Sequence, residues 1–205
     1  MAKLAPEEIL RHQAWLSEWR TPEGAGMYIS DVNDHMGSTA FLSQPGLTFL
    51  REMYLASKFA AARGLSEIRL ITGERPDFEV RGVEGIERFE CVEADLADRK
   101  RSEEYREAED ATRPFELYVE DPMDDFDVEI RQIPTALRTA AKSKAGKGYS
   151  PDTCLLIYLN IYSAGCNLGA VSASFRADTA ASKGHFAGTW VLWAGKAFGP
   201  YHVWG

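Results

Sequence analysis

Leu47, Leu50, Met53, Tyr54, Ala60 and Ala61 recur at the three-and-four spacing of a helix with one apolar face, and Gly64 closes the run as a helix-terminating glycine does. Upstream, residues 6–19 predict a helix. The glycine-, aspartate- and serine-containing stretch around 24–37 predicts a loop, and residues 1–46 together read as an amino-terminal cap. Beyond Gly64 the pattern changes to short extended runs. Residues 67–72, 78–81 and 88–94 predict three strands, parted by Gly73 and by the hairpin connection Gly82-Val83-Glu84-Gly85.

Residues 98–110 then predict a polar helix, 115–119 a strand-like island and 120–127 an acidic loop, so that roughly 98–128 reads as an insertion. A basic helix follows. It is expected to start near Pro134, where a first-turn proline loses no internal bond, and to end at Gly146 or Gly148, with Ile133, Leu137, Ala140 and Ala141 as its buried stripe. Residues 154–162 are almost continuously apolar, as in a strand covered on both faces. Two further strands are expected at 172–175 and 190–193, with the aromatic tail 201–204 packing back. Without the insertion the order is helix, strand, strand, strand, helix, strand. That order predicts an α/β fold with a central mixed sheet flanked by helices, residues 47–205 forming the core of one compact domain.

Composition narrows this further. Of 205 residues, 45% are hydrophobic and 26% charged, enough apolar material for a real core, which excludes disordered and fibrous classes. No apolar run reaches the roughly 20 residues of a membrane span, and the first residues are too charged for a signal peptide, so a soluble, cytoplasmic protein without a membrane partner is expected. Cys91, Cys154 and Cys166 are odd in number and widely spaced, which fits buried thiols in a reducing compartment. The net charge of −8 argues against a protein that coats nucleic acid through an overall positive field. It leaves room for a local patch. Acids dominate residues 103–129, whereas Arg131, Arg138, Lys142, Lys144 and Lys147 occupy a stretch with no acid.

The candidate chemistry lies among the three strands. Asp77 follows Pro76 at the start of the second, and Glu90 lies inside the third. Neighbouring antiparallel strands bring such carboxylates together, where they suit a hard divalent cation and metal-assisted phosphodiester hydrolysis. Alternation puts Glu90 and Val92 on one face and Cys91, Glu93 and Asp95 on the other, so Glu93 joins the site only if the strand ends or bulges first. Glu52, at helical spacing before Leu55 and Phe59, borders a stripe that should face the sheet. Arg138, Lys142 and Lys147 are the candidate phosphate contacts, since such residues position a nucleic-acid chain without reading its bases.

On these residues the stretch from Leu47 to Tyr162 resembles the PD-(D/E)XK nuclease superfamily, with its restriction-endonuclease-like αβββαβ core. The resemblance rests on Glu52 in the first helix, the Pro76-Asp77 pair, the strand Phe89-Glu90-Cys91-Val92-Glu93-Ala94, and the basic helix and apolar strand that follow. It implies that Asp77 and Glu90 hold magnesium or manganese, that Glu52 and Glu93 assist, and that nucleic acid, DNA foremost, is the partner, with a homodimer allowed. One position departs from the pattern. Where the family carries a lysine two residues after the glutamate, this chain has Val92, and Lys100, Arg99, Lys142 and Lys144 are the cations available to replace it. Lys144 continues the buried stripe of its helix and should reach along the sheet.

Two rival readings follow. Val92 is the mark expected of a degenerate module that binds without cleaving. The acidic stretch 103–129 could instead imitate a nucleic-acid surface or dock a basic partner. The four histidines have no ligand spacing for zinc, and a Ser182 or Cys166 hydrolase using His185 lacks the flanking glycines of a nucleophile elbow.

Overall fold

The structure is a computed structural model that describes residues 3–73, 75–96, 122–161, 163 and 166–203, the side chains at 39 and 122–128 excepted. Its elements are α1 (Pro6–Leu16), α2 (Pro22–Met36), α3 (Ser38–Ser43), α4 (Thr48–Arg63), β1 (Glu67–Leu70), β2 (Phe78–Gly82), β3 (Gly85–Ala94), α5 (Pro122–Lys144), β4 (Thr153–Leu159), α6 (Leu168–Ser172), α7 (Phe175–Asp178), β5 (Thr189–Trp193) and β6 (Lys196–Tyr201). One six-stranded sheet runs in chain order from β1 to β6. Its β1–β2–β3 end and its β5–β6 end are antiparallel, whereas β3, β4 and β5 are parallel. The expected α/β class with a central mixed sheet is therefore observed, and the order α4-β1-β2-β3-α5-β4 is the one read from the pattern.

The sheet separates two apolar layers. Ile68, Phe78, Val80, Phe89, Cys91, Leu156 and Trp190 face α2 and α4, while Ala94, Leu155, Ile157, Val191 and Trp193 face α5 and α7. Phe59 of α4 meets Phe89 edge-on at 4.9 Å between ring centroids, and Phe78 stacks on Phe89 at 5.4 Å. These three fully buried rings lock α4 onto β2 and β3, and that docking fixes where Glu52 stands.

Four expectations are corrected. The loop predicted around 24–37 is helix α2. Thr21 accepts a hydrogen bond from the Gly24 N–H at 3.2 Å, Pro22 fills the first turn, and Ala25, Ile29, Val32 and Met36 are buried at helical spacing, which outweighs the two glycines. The basic helix starts at Pro122 rather than near Pro134, so part of the supposed acidic loop is helical and Pro134 lies inside the helix. Residues 172–175 are not a strand: they end α6 and open α7, where Asn167 caps the first by accepting from the Ala170 N–H. The tail adds strand β6 as far as Tyr201. The expected helix at 98–110 and strand at 115–119 lie outside the described residues, as do Arg99 and Lys100.

Candidate active site

Proline 76 shapes the site. Asp77 still donates its N–H to Phe89 O at 3.0 Å, but Pro76 has no N–H to offer β3, so pairing between the two strands stops there. The Cys91 N–H, pointing toward the gap, is taken by Asp77 Oδ2 at 2.7 Å. The aspartate side chain thus replaces the missing strand, and its carboxylate is pinned beside the backbone of the residue that follows Glu90. Beyond this point β3 continues to Ala94 with β4 on one side, in an unbroken register.

Glu90 projects to the α5 face of the sheet and its side chain is only 6% exposed. An isolated buried carboxylate is costly. Here Oε1 accepts two hydrogen bonds, from Lys144 Nζ at 2.6 Å and from the Tyr149 hydroxyl at 3.1 Å. The second oxygen, Oε2, is buried and has no hydrogen-bond partner among the described residues. Lys144 comes from the last turn of α5, whose Ile133, Leu137, Ala140 and Ala141 lie buried on the sheet, so the helix docks with its terminal ammonium aimed at the carboxylate. Val92 therefore does not leave Glu90 without a cation.

Glu52 approaches from the opposite layer, on α4. Burial first, then the charge of Asp77, pushes its carboxyl up to about 7; Lys144 opposes this and Glu90 adds to it. Burial raises Asp77 to about 6, with the Cys91 N–H resisting and the charge of Glu90 reinforcing the rise. Three acids and one lysine, from α4, the segment before β2, β3 and α5, thus share one electrostatic environment. Cys91, buried among them, is pushed well above the ordinary thiol range by desolvation and then by the charges of Asp77 and Glu52. It is a packing residue here, not a nucleophile.

Other residues singled out in the sequence fall elsewhere. Because β3 neither ends nor bulges before Ala94, Glu93 lies on the face opposite Glu90 and lines, with Arg51 and Tyr158, a groove of about 320 Å³ beside α2 and α4. A second groove, about 490 Å³, runs on the α5 side along Val92 to Leu96 and Thr135, Thr139 and Ser143. Asp95 accepts from Asn160 Nδ2 at 3.1 Å. Arg138 is committed to the buried Asp178 at 2.8 Å, whereas Lys142 and Lys147 are exposed near the end of α5. Ser182 donates to Thr179 O and is buried, and His185 Nδ1 accepts from the Gly146 N–H, so the two form no catalytic pair.

Two participants were not anticipated. Tyr149 lies in a loop with no periodicity to single it out, and Arg75 differs from any surface arginine only by standing two residues before Asp77.

Compared with family models, curated proteins and solved structures, the chain matches none. The site must be read from its own chemistry. Among the described residues no three His, Cys, Asp or Glu side chains are grouped so that they could hold a metal ion. Magnesium, however, is commonly held by one or two carboxylates, with water and substrate phosphate completing its shell. The buried Glu90 Oε2, like Asp178 Oδ2 without a hydrogen-bond partner among the described residues, fits that mode, since Glu90 and Asp77 are close enough for the charge of one to raise the other. Among the described residues no helix is long and apolar enough to cross a membrane.

Proposed function

We propose that this protein is a divalent-metal-dependent nuclease that hydrolyses phosphodiester bonds of nucleic acid, DNA foremost. One observation carries the reading: Glu90 has one oxygen fixed by Lys144 and Tyr149 and the other buried and unpartnered, next to an aspartate whose position is set by a backbone N–H. Asp77 and Glu90 would hold magnesium or manganese, with Glu52 close by. Such an ion supplies charge neutralisation at the phosphate and a more acidic bound water.

The chain's own groups do the rest. The Lys144 ammonium, 2.6 Å from Glu90, would offset charge developing on phosphate oxygens, the task that the resemblance assigns to a lysine at position 92. Glu52, with its carboxyl raised to about 7, exchanges a proton near neutral pH. Lys142 and Lys147 extend positive charge along the approach and contact the backbone rather than the bases. The three unbridged thiols suit a cytoplasmic setting.

The second reading, a binding module that no longer cleaves, draws on Val92. Incubating supercoiled plasmid with wild type and with Glu90→Ala, in manganese and in EDTA, separates the two. Cleavage by wild type in manganese alone, lost in Glu90→Ala, supports the nuclease. The same metal-independent background from both proteins supports the module.

A further inference from the structure

The arginines around the sheet are mostly tied to acids. Arg63 pairs with Glu87, Arg69 and Arg88 with Glu79, Arg81 with Glu67 and Arg138 with Asp178. Arg75 differs. It is exposed and has no carboxylate partner among the described residues, although it stands two residues from Asp77. It is not loose either, because its guanidinium lies 4.9 Å over the Tyr149 ring and Nη1 donates to Lys147 O. Tyr149 in turn bonds Glu90. The side chain is therefore held in place, without a carboxylate partner among the described residues, on the tyrosine whose hydroxyl bonds Glu90. A planar guanidinium with free N–H groups is suited to the paired oxygens of a phosphate.

We propose that Arg75, seated on Tyr149, is a phosphate-binding residue that grips the nucleic-acid backbone beside the bond to be cleaved. This rests on the nuclease reading given above, and it assigns a contact that the sequence pattern did not. The cradle also separates two jobs: Arg75 holds substrate, whereas Tyr149 and Lys144 hold Glu90.

The test is fluorescence anisotropy with a short labelled oligonucleotide, single-stranded and duplex, on wild type, Arg75→Ala and Arg75→Lys. Each protein is also titrated with manganese alone. Arg75→Ala is expected to bind the oligonucleotide about tenfold more weakly and to lower the slope of log Kd against log salt by about 1, as loss of one phosphate contact does. Its manganese affinity stays at the wild-type value. Arg75→Lys recovers only part of the loss, since an ammonium lacks the fork. Replacing one phosphate at a time by methylphosphonate supplies a readout that folding does not move. Wild type loses affinity at one position to which Arg75→Ala is indifferent. Wild-type affinity and salt slope in Arg75→Ala would overturn the proposal, and so would a wild type that binds manganese but no oligonucleotide. A wild type that binds neither contradicts the nuclease reading itself, and this inference falls with it. Oligonucleotide binding that depends on Arg75 without any manganese binding supports the phosphate contact while removing hydrolysis.

Discussion

Lys144 Nζ lies 2.6 Å from Glu90 Oε1, across 54 residues of chain. Their side chains are 19% and 6% exposed, so the pair is largely desolvated and each partner makes the other tolerable in the interior. Removing one alone strands a buried charge. Lys144→Met should therefore lower stability by about 2–3 kcal/mol, and the double variant Lys144→Met/Glu90→Met should recover most of that loss. Urea unfolding in EDTA measures both. Additive losses in the double variant would show that the two side chains are not coupled.

Stability should also depend on pH in a direction fixed by the acids. Glu52, ordinarily near 4.5, is raised to about 7 in the folded chain, and Asp77, ordinarily near 3.8, to about 6. Both bind protons more tightly folded than unfolded, so their contribution is fully present below the unfolded values and is lost as pH rises through 6 to 7. Glu52→Gln abolishes the larger of the two effects. Without metal it should be more stable than wild type by about 1–2 kcal/mol near pH 8 and no more stable near pH 4. Thermal melts across that range check the sign, and a gain at pH 4 with none at pH 8 would contradict it.

The Tyr149 phenol is raised above its ordinary range by burial, by the charge of Glu90 and by its hydrogen bond to Glu90, so it stays protonated and donates. Tyr149→Phe keeps the ring against Phe186 and under Arg75 while losing that one bond. A hydrogen bond worth about 1 kcal/mol corresponds to roughly fivefold weaker manganese binding. Electron paramagnetic resonance of free manganese reads this, with an unchanged melting temperature as the control. Affinity equal to wild type would remove Tyr149 from the positioning of Glu90.

Much of this arrangement was legible along the chain. The α4 stripe, the three strands and the hairpin at Gly82 to Gly85 are local patterns, and local patterns survive folding. So was the reach of Lys144 along the sheet to Glu90, because strand parity puts Glu90 on the α5 face and Lys144 continues the buried stripe of that helix. What was hidden depends on tertiary context. Glycines 24 and 26 suggested a loop, yet α2 forms because Ile29, Val32 and Met36 find a buried face. Pro134 read as a helix start because an internal proline is costly, but packing of α5 on the sheet tolerates it. Glu93 depended on a bulge that β3 does not have. Tyr149 and Arg75 carry no periodic signal, since their roles arise from a loop crossing next to Asp77.

Anomalous diffraction from crystals soaked in manganese tests the central claim most directly. The account predicts a peak bridging the carboxylates of Asp77 and Glu90 in the wild type, absent in Glu90→Gln. A wild-type crystal at saturating manganese with no peak between those two side chains would contradict it.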